Sequence, residues 1–155
     1  MPLCNLVALR QEFIDRWRTQ IPALKDVVGV EDVSKDVLNE VVPKLNTPFL
    51  LVCLSDENLS PSTESDDGEI ESGSSARLLE HDLAAILGTK NLLTKNAAVE
   101  SALALRQDVK AAVRDWSPSQ AFGSRVPNFK GVNRIGRHGA IVLHGLYFGQ
   151  TVYES

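Results

Sequence analysis

The sequence predicts an α+β protein, with a mostly antiparallel β-sheet, two long amphipathic helices packed on one face of it, and a long acidic loop between strands. Three observations lead there. Two stretches repeat apolar residues at three- and four-residue steps, two apolar runs are short and flanked by turn formers, and the chain closes on β-compatible runs around a glycine. At 155 residues the chain fits a single domain, 1–155, with one core.

In order along the chain, Leu6, Leu9, Phe13, Trp17 and Ile21 line one side of a helix whose other positions carry Arg10, Glu12, Asp15, Arg16 and Arg18. Pro22 stops it. A short strand is expected at residues 27–30, and Ser34 offers an N-cap for about two turns of helix before Pro43. "FLLVCL" after Pro48 reads as a buried strand, and "ARLLEHDLAAILGT" as a second one ending near Gly88, although that segment also fits a helix. Helical spacing returns near Asn96, with Val99, Ala102, Leu103, Leu105, Val109, Ala112, Val113 and Trp116 on an apolar face that Ser117-Pro118 ends. Phe13, Trp17, Val109, Val113 and Trp116 are the expected core.

Near the end of the chain Gly139 tolerates positive φ between two β runs. On the second run Ile141, Leu143 and Tyr147 face one way, and Val142, His144, Leu146 and Phe148 the other. Both faces are apolar, so helices are expected over one, and a further cover, such as another subunit, over part of the second.

Residues 55–75, "SDENLSPSTESDDGEIESGSS", interrupt the pattern. Asp56, Glu57, Glu64, Asp66, Asp67, Glu69 and Glu71 fall there, with no Lys or Arg among residues 56–75. So polar a run builds no core and reads as a flexible loop joining neighbouring strands. Arg125, Lys130, Arg134 and Arg137 gather near the C-terminal hairpin with few acids nearby. In an isolated monomer these are two solvated patches; in a head-to-tail ring the acidic arm of one subunit meets the basic patch of the next. The formal net charge of -4 supplies no bulk attraction to nucleic acid.

Motifs for chemistry are sparse. His81, His138 and His144 lack the spacing and companions of a metal site, and the carboxylates of 56–71 lack the ordered ligand series of a calcium loop. "GVNRIGRHGAIVLHG" lacks the Walker lysine and the strand-to-helix setting that cradle a phosphate, so hairpin turns account for its glycines. Cys53 sits among apolar neighbours where a thiol is inert, and with Cys4 as the other cysteine a reducing compartment is expected. Neither a cofactor nor an enzymatic activity is expected. The opening residues lack a basic n-region, and no apolar run approaches the roughly 20 residues that span a bilayer. The chain is therefore expected to be made in the cytoplasm, without a membrane segment.

Several segments then occur in a telling order: an opening amphipathic helix with a Pro-containing turn, "KLNTPFLLVCL", a polar loop, "ARLLEHDLAAILGTKN", "LRQDVKAAVRDWSP" and "FKGVNRIGRHGAIVLHGLYFGQTVY". Together they resemble the tail terminator, or tail completion, proteins of tailed bacteriophages and related contractile tail particles. The segments look like that family's lysine-then-Thr-Pro strand entry, its strand closing on an Asn-containing turn, its helix ending in Trp-x-Pro, and its final hairpin. Trp116-Ser117-Pro118 after Leu105, Val109 and Val113 is the most specific piece, and most of the chain is covered.

The resemblance implies a structural virion protein at the tail-neck junction, assembled in the host cytoplasm. Its hexameric ring would cap the head-proximal end of the tail tube, end polymerisation and present the head-tail joining surface. The implied partners are copies of itself, the tail tube protein, neck and head-tail connector proteins, and the sheath protein where the tail contracts. DNA would pass through the channel without sequence-specific binding, and no membrane is involved. Arg125, Lys130, Arg134 and Arg137, with Asp66, Asp67, Glu69 and Glu71, are the candidate subunit and partner interface. Strands at 49–54 or 141–148, if left at an edge, would pair or pack across subunits. The alternatives are another neck or head-completion protein, an acidic DNA-mimic inhibitor, and a hydrolase built on Cys53 or His81.

Overall fold

Helix α1 (Leu6–Gln20) starts where the Asn5 side chain accepts from the Ala8 N–H at 3.1 Å, and it stops before Pro22. A computed structural model describes residues 4–59, 77–90, 95–121 and 125–154. Strand β1 (Asp26–Gly29) follows, then α2 (Lys35–Val41), which is capped by the Ser34 hydroxyl accepting from the Val37 N–H at 3.3 Å. A single 3-10 turn, Val42–Lys44, places Pro43 where its missing N–H is harmless. Strands β2 (Phe49–Leu59) and β3 (Arg77–Lys90), helix α3 (Lys95–Val113), and strands β4 (Asn128–His138) and β5 (Ile141–Glu154) complete the chain.

The fold is α+β, and the described residues form three α-helices and a five-stranded sheet in the order β1-β2-β3-β5-β4. Only β1 runs parallel to its neighbour, and the other three junctions are antiparallel. The long β3–β5 ladder runs from Arg77 opposite Glu154 to Lys90 opposite Ile141. Gly139, at φ 60°, makes the β4–β5 turn in the left-handed region where a Cβ is penalised. The Cys4 N–H donates to the Tyr153 carbonyl at 2.8 Å, tying the start of α1 to the last strand.

One sheet face packs under α1 and α3. Leu9, Phe13, Trp17, Leu105 and Val109 meet Leu50, Val52, Leu83, Leu87, Leu146 and Phe148 there. Trp17 donates its Nε1–H to the Val109 carbonyl at 2.9 Å, and Arg16 donates to the Ala112 carbonyl at 2.7 Å, so the two helices are hydrogen-bonded as well as packed. The other face carries Phe49, Leu51, Cys53, Ile86 and Leu143, with Ile141 and Tyr147 at its margin. The expected cover for this second face comes partly from within the chain, because Leu38 and Val42 of α2 and its turn close over it.

Three expectations are corrected, while strand β3 ends at Lys90, near Gly88 as expected, with the Phe49 ring of the neighbouring strand filling the space a side chain at Gly88 would take. Strand β2 does not end at Leu54 but continues to Leu59 through an irregularity between Leu54 and Glu57, so residues 55–59 belong to the strand and not to a loop spanning about 55–75. Helix α3 ends at Val113, before Trp116, which is partly buried. The sheet edges are β1 and β4, so the strands at 49–54 and 141–148 are interior. Asp66, Asp67, Glu69 and Glu71 lie outside the described residues.

Candidate functional site

Exposed apolar side chains are unevenly spread. Among the described residues the large ones are Val7, Leu103, Val126, Phe129 and Ile135, and the last four belong to α3, to β4 or to the segment leading into β4. Leu103, Arg106 and Lys110 recur at three- and four-residue steps along one side of α3, beside the buried stripe of Leu105, Val109 and Val113, and Arg114 follows at the same spacing just past the helix end. That side faces β4: the Lys110 ammonium stands 5.1 Å from the centre of the Phe129 ring, and Phe129 in turn packs on the core ring Phe148 at 5.4 Å. A cleft of about 280 Å³ lies beside them, lined by Lys110, Arg114, Val126, Phe129 and Phe148.

The register of β4 sorts its side chains. Phe129 lies opposite Phe148, Arg134 opposite His144 and Arg137 opposite Val142, and directly opposed residues share a face. Arg134 and Arg137 therefore extend the cationic row of α3 on the helix-covered face. His144 is pushed below the ordinary histidine value by burial first, and then by the positive charges of Arg106 and Arg134, so it stays neutral between two guanidiniums. Among the described residues Arg106, Arg134 and Arg137 make no ion pair. The result is a half-apolar surface with unneutralised positive charge.

Lys130 is not part of this surface. It lies on the opposite face, where it reaches over β5 to pair with Glu80 and Asp82 of β3, each at 2.6 Å. Gly149 of β5 lies beneath the crossing, where an added Cβ would stand 2.6 Å from the Glu80 carboxyl carbon and 2.8 Å from Lys130 Cε. The hydrogen bonds that the Lys130 ammonium donates to Asp82 and Glu80 hold it above its ordinary pKa, so its charge is already answered within the chain. Arg125 is also apart: its carbonyl accepts from Gln150 Nε2 at 3.0 Å, six residues along β5 from the His144 opposite Arg134. Of the four expected cations, only Arg134 and Arg137 come together. Arg106, Lys110 and Arg114 were missed, although "RQDVKAAVR" shows their four-residue spacing plainly.

The expected core residues lie under the two helices. Phe13, Trp17, Val109 and Val113 are buried, and Trp116 meets Phe13 edge-on at 5.2 Å, with the Arg16 guanidinium 5.6 Å from the centre of its ring. Cys53 and His81 cannot form a nucleophile–base pair, since Cys53 faces α2 opposite Ala84 while His81 alternates with Leu83 onto the other face. The Cys53 thiol donates to the Glu31 carbonyl at 3.4 Å, and burial raises its pKa. Among the described residues no cluster of three ligating side chains would hold a metal ion, and no helix is long and apolar enough to cross a membrane.

Compared with known proteins, the chain matches no family model, and no curated protein matches it significantly.

Proposed function

We propose that this chain is a self-assembling structural subunit that closes head-to-tail into a ring, of the kind that caps the head-proximal end of a phage-type tail tube. The observation that carries the reading is the inequality of the two sheet edges. Strand β1 is four residues long, and its outward Val27 carbonyl is taken by the Arg18 side chain at 2.8 Å. That edge is closed by its own chain. Strand β4 is eleven residues long, and among the described residues nothing is hydrogen-bonded to its outer backbone. Exposed Phe129 and Ile135 stand on it.

A surface of this kind on one side of a subunit, without a twin on the other side, suits a heterologous contact, and rotation closes such contacts into rings. Irregularities at Phe129/Gly131 and Arg134/Gly136, together with the arginines, disfavour simple strand addition along β4. Side-chain packing guided by charge is the better-suited mode. The ring would meet the tail tube protein on one rim and neck or head-tail connector proteins on the other, with the sheath protein as a further partner where the tail contracts. DNA would pass through without sequence-specific contacts, and no cofactor is required.

The test is sedimentation of the purified chain, followed by electron microscopy of tail tubes incubated with it. Rings at one tube end, with tube growth halted, are the expected result. A chain that stays monomeric at every concentration and leaves tubes uncapped would overturn the reading, and would turn attention to the acidic DNA-mimic alternative.

A further inference from the structure

We infer that the surface formed by α3 and β4 is the receptor for the acidic run of a second copy of this chain. The inference deepens the ring reading and rests on it, by naming what the exposed surface meets. Its cationic row is Arg106 and Lys110 on α3, Arg114 just past its end, and Arg134 and Arg137 on β4, and Asp115 is the acid beside it in the cleft. The chain itself holds the complementary sequence: Glu64, Asp66, Asp67, Glu69 and Glu71 supply five carboxylates in eight residues, with Ile70 among them and no Lys or Arg. Five cations that make no ion pair among the described residues flank apolar Leu103, Val126 and Phe129, and they match five carboxylates flanking one isoleucine. Carboxylates also suit arginine forks better than solvent does.

Reach favours a neighbour over the chain's own run at the Arg134 and Arg137 end of the surface, whereas Phe129, opposite Phe148 and six residues from Glu154 (154 minus 148), lies roughly 20 Å from the anchors. Residues 60–76 join Leu59 to Arg77, at the end of the sheet marked by Glu154 opposite Arg77. His144 lies ten residues from Glu154 along β5 (154 minus 144), which is roughly 33 Å at about 3.3 Å per residue. A 17-residue span tied at both ends brings its middle no further than roughly 30 Å from its anchors. Arg134 is therefore at or beyond the distance that the length of a chain's own run allows from these anchors. A second copy has no such constraint, and the same contact repeated from copy to copy is the head-to-tail contact a ring needs.

The experiment is a charge swap read by sedimentation. Arg134→Glu with Arg137→Glu, and separately Asp66→Lys, Asp67→Lys, Glu69→Lys and Glu71→Lys, are each expected to weaken self-association by about tenfold or more at low salt. Mixing the two variants, or combining all six changes, is expected to restore it. Arg134→Gln with Arg137→Gln gives a milder loss should reversal disturb folding, and Arg125→Glu, outside the surface, should change nothing. If the arginine changes abolish association while the lysine changes do not, the inference is overturned and the ring reading survives with another surface as partner. If the wild-type chain is monomeric, a synthetic peptide of residues 60–76 is titrated against it. Binding that salt and the arginine changes abolish keeps the receptor while ending the ring, and absence of binding overturns both.

Discussion

Gly149 shows how much depends on one missing side chain. Lys130 reaches the β3 carboxylates only because the strand between them offers bare backbone, with Glu80 and Lys130 lying where a Cβ would go. Gly149→Ala is expected to lower stability by about 1–3 kcal/mol in urea unfolding, as overpacking does. Lys130→Met should cost less, since the pair is partly solvated. The lysine's raised pKa means that its contribution is complete below the ordinary value of 10.5 and is lost as pH rises through the higher folded value. The gap between wild type and Lys130→Met should therefore persist at neutral pH and fade in strong alkali. His144 has the opposite sign of shift. Its folded pKa is depressed, so the unfolded chain binds more protons as pH falls below 6.5, and the fold loses stability there. His144→Gln should flatten the pH dependence of urea midpoints in that window.

At the scale of elements, α2 is the clearest to test, because one hydroxyl starts it and its buried Leu38, with Val42 of the turn that follows, covers part of the second sheet face. Ser34→Ala is expected to cost about 1 kcal/mol, measured by thermal unfolding. That cap was legible in the sequence, as were α1 and the facing of Leu143 against Leu146, because periodicity and capping are local. Three features were not. The end of β2 carries Ser55, Asp56, Glu57 and Asn58, a composition that spells loop, and it is held as strand by pairing with Leu79 to His81, more than twenty residues away. The four residues of β1 say nothing of a parallel partner. Lys130 looks like a free surface cation until the fold brings Glu80 and Asp82 across two strands to it. The spacing of Arg106, Lys110 and Arg114 could be read, but not which side of α3 would face β4, since that is set by packing over the whole sheet.

For the whole molecule, the two faces of the sheet are closed to different degrees and by different parts of the chain, with α1 and α3 over one and α2 over part of the other. What remains uncovered concentrates beside β4, and a change there acts on assembly more than on folding. Phe129→Ser, at a side chain 40% exposed that also packs on Phe148, is expected to cost about 1 kcal/mol in urea unfolding while weakening self-association several-fold in sedimentation. Phe129 is also the outer end of a line of rings: it touches Phe148, which stands 5.8 Å from Trp17, which is 5.4 Å from Phe13, which meets Trp116. The chain's two tryptophans both sit in this line, one wholly buried and one partly open. The molecule thus carries its own optical gauge: whatever settles on Phe129 is two rings from a sheltered indole, and its arrival can be watched as a change in blue-shifted emission without attaching any dye.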